Sequence, residues 1–399
     1  MSVYDLVIVG AGPAGSACAM HAARRGLKVL LVDKAKFPRS KSCGGALSKR
    51  TYRNLGPRAT RGINCHAHGL VVYSPKMRMV DYEEDDCVDL VVRTEWDHHM
   101  LLDAIDAGSE SAEGTMVQSV YMGEDSFSVM LSDGNTVSSR YLVLADGTGL
   151  RSYKKLLGFH QPYDHMARTV CAEAPVEDSV IDEFLGTKRK LHIFFGVVPR
   201  GYGWLFPKRG YLNVGIGFSN TTPPSMTQFE VFDMFVKRLR DRKMIPPDLD
   251  LTCRTAHPIP FRRPFQPIGI GRALLVGDAG GFVSPVTGEG LYYGTSSGRL
   301  AAEAIAEHMD GNSAKDLVAD YTSRWMSDFG ADMVGPGLWL ANFLYRSPRR
   351  MELMVRLMSA DEETRRTAAR MVMGITRYGE ARSVVLRRSP LSLAKSLRN

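Results

Sequence analysis

The sequence predicts a mixed α/β chain in three parts: a nucleotide-binding domain built on a parallel sheet, an antiparallel-sheet domain interleaved with it, and a C-terminal helical region. Three observations predict it. Near the N-terminus a short apolar run passes directly into a Gly-x-Gly-x-x-Gly turn and a helix-like stretch. Runs with strand periodicity fill two separated pieces, 63–91 and 166–260, which leaves 1–62, 92–165 and 261–330 to the nucleotide domain. Beyond about residue 330, Arg and Met accumulate at helical spacing, which sets 331–399 apart. A 399-residue chain with 44% apolar and 24% charged residues has ordinary globular composition, which excludes disordered, collagen-like and coiled-coil alternatives.

The first element is the apolar strand Tyr4 to Val9, followed by Gly10-x-Gly12-x-x-Gly15 and a helix over Ser16 to Arg25. Each glycine has a physical task. The first permits the tight turn, the second lets backbone approach a pyrophosphate, and the third lets the helix pack on the strand with its N-terminus facing the anion. Lys28 to Val32 is a second strand ending in Asp33, eighteen residues after Gly15, where a carboxylate can accept hydrogen bonds from ribose hydroxyls. An acid rather than a base at that position favours FAD or NAD over NADP. The unit is therefore Rossmann-like.

Two later strands also end in an acid: Arg140 to Leu144 leads into Asp146-Gly147, and Arg272 to Val276 into Gly277-Asp278. The second continues through Gly288-Glu289-Gly290-Leu291 into a helix marked by Leu300, Ala301, Ile305 and Met309. This arrangement suits a flavin. Asp278 can hold ribityl hydroxyls, and the helix N-terminus can stabilise negative charge on the reduced ring. In the interleaved domain, Leu191 to Val198 and Tyr211 to Phe218 are strands, and the alternation of Tyr202, Trp204 and Phe206 puts three rings on one face. Alternation alone makes that stripe an aromatic core face. Phe229, Phe232, Val236 and Leu239 form an amphipathic stretch assigned to the core.

Other features exclude function classes. Six cysteines without a C-x-x-C pair fit reduced thiols in a cytosolic protein, and Cys65-His66 with His68 reads as a surface strand, so no metal is expected. The charge-free stretch Leu6 to Ala23 is broken by glycines and lacks a basic flank, and Met333 to Tyr345 is too short to span a bilayer, so a cytoplasmic protein, at most peripheral at a membrane, is expected. The net charge of +8 is local. Residues 346–399 carry 13 Lys and Arg against 5 Asp and Glu, leaving 38 of each sign before them. This removes nucleic acid as a partner and points to an anionic membrane surface instead. Met351, Met354, Val355 and Met358 share a helical face opposite Arg350 and Arg356, a pattern that serves equally for a membrane-lying helix or a lid packed on the body.

The chain resembles the geranylgeranyl reductases, members of the flavoprotein superfamily that also contains the aromatic hydroxylases. The matching residues are Gly10 to Ser16, Phe37-Pro-Arg39 with Lys41-Ser-Cys43-Gly44-Gly45-Ala46, Arg93 before Trp96-Asp97, Ala145-Asp146-Gly147, Pro199-x-Gly-Tyr202-x-Trp204-x-Phe206-Pro207, and Gly277-Asp278-Ala279 through Gly290. They span about residues 5–310. The Cys-Gly-Gly loop and the Tyr-x-Trp-x-Phe-Pro segment are the parts specific to the reductases.

The resemblance implies that Gly10, Gly12, Ala14 and Gly15 hold the FAD pyrophosphate, and that Asp33 with Lys34 holds the adenosine ribose. It places Arg93 on the phosphate or ribityl region, and Asp278, Gly290 and Leu291 near the ribityl and ring ends. Cys43, Gly44 and Ala46 would sit beside the flavin, with Cys43 donating a proton or packing there. Tyr202, Trp204 and Phe206 would wall the substrate site, Tyr202 being a second candidate acid. The implied reaction passes hydride from flavin to one carbon of an isoprenoid double bond and a proton to the other. The substrate would be a prenyl lipid or prenyl diphosphate. A second dinucleotide motif is absent, which resembles a family reduced by an external donor such as NADPH or ferredoxin. Two alternatives remain: a flavin monooxygenase acting on an apolar substrate, and a non-enzymatic prenyl-binding protein.

Overall fold

A computed structural model describes residues 3–149, 154–155, 157–159, 166–219, 226–309, 311 and 316–396, with side chains as far as 388. The nucleotide domain is built on a sheet whose main path runs Gly269–Ile270, Ala273–Leu275, Thr136–Leu144, Val3–Val9, Val29–Asp33, Glu110–Glu113. Val3–Val9 pairs in parallel with both neighbours, Val29–Asp33 and Thr136–Leu144. A strand so placed has both faces covered, and Leu6, Val7 and Ile8 are accordingly buried without alternation. The helices Pro13–Ala23 and Leu291–Met309 cross closely over it, because a Cβ at Gly298 would stand 2.2 Å from the Ala14 carbonyl oxygen.

The second sheet has eight strands, in the order Thr255–Pro260, Met166–Pro175, Tyr211–Ser219, Gly201–Lys208, Leu191–Phe195, Cys65–Tyr73, Met79–Leu90, Ala46–Ser48. Ala46–Ser48 lies in the 1–62 segment and pairs with Met79–Leu90, so the loop before it is tethered to the second sheet. Leu191–Phe195 stops short of Val198, as Gly196 turns the chain at φ +74°.

The sheet's two faces have different partners. Phe194, Leu205 and Val214 point outward against Phe232, Phe235, Val236 and Leu239 of the helix Gln228–Asp241, which opens with a Thr227–Glu230 capping box. Phe229 departs from the expected core, being 37% exposed. The other face, with Ile193, Phe195, Trp204 and Phe206, turns toward the nucleotide domain and the C-terminal helices.

The C-terminal region is helical: Leu317–Trp325, π-helical turns at Met326–Gly330 and Met333–Gly337, then Leu338–Leu344, Pro348–Ala360, Glu362–Val372 and Tyr378–Ser396. Pro336 lies in the second π-turn, where wider winding accommodates a residue lacking an N–H. The Met351, Met354, Val355 and Met358 face is buried against the body. Among the described residues no helix is long and apolar enough to cross a membrane.

Candidate active site

At the C-terminal ends of the parallel strands lies a groove of about 390 Å³. Its floor is backbone. A Cβ at Gly15 would stand 1.8 Å from the Gly10 carbonyl oxygen, and one at Gly10 would stand 2.4 Å from that of Ala145. Gly12 caps the helix Pro13–Ala23 without a side-chain bond, which leaves the first-turn N–H groups beside Ala14 to face an anion. Asp33 lines the groove while accepting from the backbone N–H groups of Ala11 (2.7 Å) and Ala35 (2.8 Å), so both oxygens are oriented and each keeps acceptor capacity. Lys34 lines it beside Asp33, and Asp278, Gly290 and Leu291 line its other end.

Arg93 also lines the groove, but its guanidinium is engaged differently from a phosphate fork: Nε and Nη2 donate to Asp97 at 2.6 and 2.8 Å. The Arg39 guanidinium reaches the same carboxylate at 3.1 Å. Two cations are thus tied to one buried acid. Three basic groove residues carried no role in the sequence reading: Arg39, Lys41 and His257. Lys41 Nζ meets His257 Nε2, and burial with the surrounding cations pushes the His257 imidazole down to about 3, so it is neutral at physiological pH. Arg39 and Lys41 flank the Cys43 loop and were visible there. His257 lies 216 positions from Lys41 and has no local signal.

Adjoining the groove is an apolar cavity of about 230 Å³. Tyr202, Trp204 and Phe206 form one wall, with successive ring centroids 6.0 and 6.3 Å apart. Glycine makes room for this stripe: a Cβ at Gly215 would stand 2.1 Å from the Trp204 ring, and one at Gly44 would stand 2.8 Å from Phe206. Leu340, Leu344, Met354 and Met358 of the C-terminal helices form the opposite wall, so the buried methionine face covers this cavity. Glu289 is the one formally charged side chain among the described lining residues; it is held by Arg50 at 2.6 Å and by Ser48.

Cys43, Gly288, Gly290 and Leu291 line both spaces, so the groove opens into the cavity there. The Cys43 sulfur accepts the Gly45 N–H at 3.3 Å, and Ala46 begins the strand that fixes the loop's end. Tyr202 donates its hydroxyl proton to the Thr287 carbonyl oxygen, and burial pushes its pKa well up. Away from this junction, the Cys65 side chain is buried while His66 and His68 face carboxylates at the surface. Lys49 inserts its ammonium between Asp86 and Asp89, beside His66, and bridges the acidic pair.

A backbone cradle for a pyrophosphate, an oriented Asp33 carboxylate at one end, Asp278 at the other and an apolar chamber at the ring end fit FAD, and the fold and site together define a flavoprotein oxidoreductase. The comparisons make the class specific. The FAD binding domain family matches residues 3–333, and the chain belongs to that family. It is 30% identical to the menaquinone reductase of Mycobacterium tuberculosis over 97% of this chain and 98% of that one. It is 26% identical to the digeranylgeranylglycerophospholipid reductase of Methanococcus vannielii, covering 81% and 82% of the two chains. A geranylgeranyl bacteriochlorophyll reductase-like structure from Thermoplasma acidophilum superposes with a TM-score of 0.76 over 98% of this chain and 100% of that one, at 21% identity, and shows the same fold. The chain is a FAD-dependent oxidoreductase related to the geranylgeranyl reductases.

Proposed function

We propose that this protein saturates a carbon–carbon double bond in the isoprenoid chain of a prenyl lipid or prenyl precursor. One observation carries the reading: an aromatic- and methionine-walled apolar cavity shares Cys43, Gly288, Gly290 and Leu291 with the FAD groove. A long unsaturated chain fits that chamber by burial of apolar surface. When bound and reduced by an external donor such as NADPH or ferredoxin, FAD supplies a hydride to one alkene carbon. The protein's own task is to align the chain, exclude water and deliver a proton to the other carbon.

Trp204 and Phe206 press the chain toward the junction, and Met354 and Met358 close over it. Of the two candidate acids, Cys43 stands at the junction itself, whereas Tyr202 has committed its proton to Thr287, so we assign protonation to the Cys43 thiol and alignment to Tyr202. The outward Arg faces of the C-terminal helices, Arg349, Arg356 and Arg366 among them, would hold the enzyme at an anionic membrane surface where such lipids reside. The test is anaerobic incubation of the reduced, FAD-loaded protein with menaquinone, a geranylgeranylated glycerolipid and geranylgeranyl diphosphate, followed by mass spectrometry. A gain of two hydrogens per double bond is expected with at least one of them. Unchanged lipids, or oxygen incorporation under air, would overturn the reading in favour of an escort or a monooxygenase.

A further inference from the structure

We propose that Asn213 is a positioning residue that sets the Trp204 indole and the Cys43 loop in register where the cavity meets the cofactor groove. It stands opposite Phe206 on one neighbouring strand and opposite Glu173 on the other, and it is buried. Its amide bonds are directional. The Trp204 Nε1–H donates to Asn213 Oδ1 at 2.8 Å, while Asn213 Nδ2 donates to the Cys43 carbonyl oxygen at 3.0 Å and to Glu173 Oε1 at 3.2 Å. Because indole can only donate, and a carbonyl and a carboxylate can only accept, the amide has a single satisfied orientation.

The contact is extended by Lys208, which is fully buried. Its ammonium donates to Glu173 and to the Val91 carbonyl oxygen (2.8 Å), and the Val91 N–H donates in turn to the Gly45 carbonyl oxygen (2.9 Å). The far side of the same loop is therefore tied to the segment that opens the Arg93 helix. A Cβ at Gly45 would stand 2.7 Å from Lys208 Nζ, so that glycine is what allows the ammonium to sit under the loop. The described polar contacts of the Asn213 amide run to Trp204 on the cavity wall, to the Cys43 carbonyl oxygen at the junction and to Glu173, which Lys208 also holds. An isosteric Asp would set its charge against Glu173 and the Cys43 carbonyl oxygen, and a Leu would leave the indole N–H and that carbonyl without partners.

The kinetic arm of the test rests on the reductase reading; the structural arm does not. FAD-loaded Asn213→Leu and Asn213→Asp are compared with wild type for prenyl-lipid turnover, for the absorption spectrum of oxidised flavin, and for the rate of Cys43 alkylation by iodoacetamide, read by peptide mass spectrometry. Loss of the amide's three hydrogen bonds is expected to lower kcat about tenfold with KM changed less than about twofold, since alignment rather than chain burial is lost. The flavin band should shift and Cys43 should alkylate about tenfold faster as the loop opens. In a Trp204→Phe background, which keeps the ring and removes the N–H, the Asn213→Leu effect on kcat should shrink to about threefold.

A folded Asn213→Leu protein with wild-type kcat, flavin spectrum and Cys43 alkylation overturns the proposal, as does a loss confined to KM or fully additive with Trp204→Phe. Should neither Asn213 variant fold, Trp204→Phe alone must raise Cys43 alkylation, and an unchanged rate refutes the link. If wild type reduces no prenyl lipid, the reductase reading fails, and the spectrum and alkylation rate still decide the role of Asn213.

Discussion

The cofactor groove and the apolar cavity meet at Cys43 but are built by opposite means. The groove is a backbone structure, in which Gly10 and Gly15 let main chains approach within distances no side chain permits. The cavity is a side-chain structure, with walls contributed by residues from Ser42 to Val385. The groove should therefore fail abruptly when one glycine gains a side chain, whereas the cavity should respond in proportion to volume and shape.

The largest effect should follow from Gly15→Val. A Cβ 1.8 Å from a carbonyl oxygen forces the turn and the helix apart. FAD affinity should fall by at least about a hundredfold, roughly 3 kcal/mol, and the purified protein should be nearly colourless. Stoichiometric flavin in that variant, measured by absorbance against protein concentration, would break the contrast between the two regions.

Gly215→Ala is the matching change in the cavity. The new methyl must displace the Trp204 ring, which is 2.1 Å from its position. Prenyl-lipid turnover should fall about tenfold, in line with the cost of overpacking, while FAD content stays at the wild-type level. Loss of flavin in this variant would mean that the two regions are not separable.

The smallest effect should lie outside both. Leu191, Ile193 and Phe195 face the cavity, so the alternate residue His192 faces the outer layer, stacked near Tyr73. Burial lowers its pKa from 6.5 to about 4. The folded state thus keeps the neutral ring while the unfolded state takes up a proton below about 6.5. This share of stability is complete above that pH and is lost as pH falls toward 4. Between about pH 7 and pH 6, the loss from this one group should be about 0.7 kcal/mol. Urea unfolding of wild type and His192→Phe at both pH values measures it. An equal pH dependence in the two proteins would remove His192 as the cause.

The groove was legible in the sequence because its chemistry is local. Glycine spacing, the strand-terminal acids Asp33 and Asp278, and the Gly288-Glu289-Gly290 turn are each contained within one short segment. The aromatic stripe was legible for the same reason, since strand alternation needs no partner. Arg93 shows the limit: a Glu or Asp four residues on, here Asp97, is a readable helix pair, and it takes the guanidinium that a phosphate fork would use. Lys41 with His257, and Asn213 with Cys43, join residues far apart in the chain, and neither pair has a local pattern. The strand Ala46–Ser48 had no sequence signal of its own, because three residues carry too little periodicity to name a partner.

Residues 346–399 divide the two kinds of information most clearly. Sequence alone determined that the surplus charge lies there and that Met351, Met354, Val355 and Met358 share one helical face. It left open what that face meets, because an amphipathic helix has the same pattern against a bilayer as against a protein core. Tertiary structure decided it: the methionine face is buried against the body, and Met354 and Met358 on it close the cavity. The physical reason is that a periodicity records which side of an element is apolar, whereas the identity of the apolar partner is set by contacts between segments hundreds of residues apart.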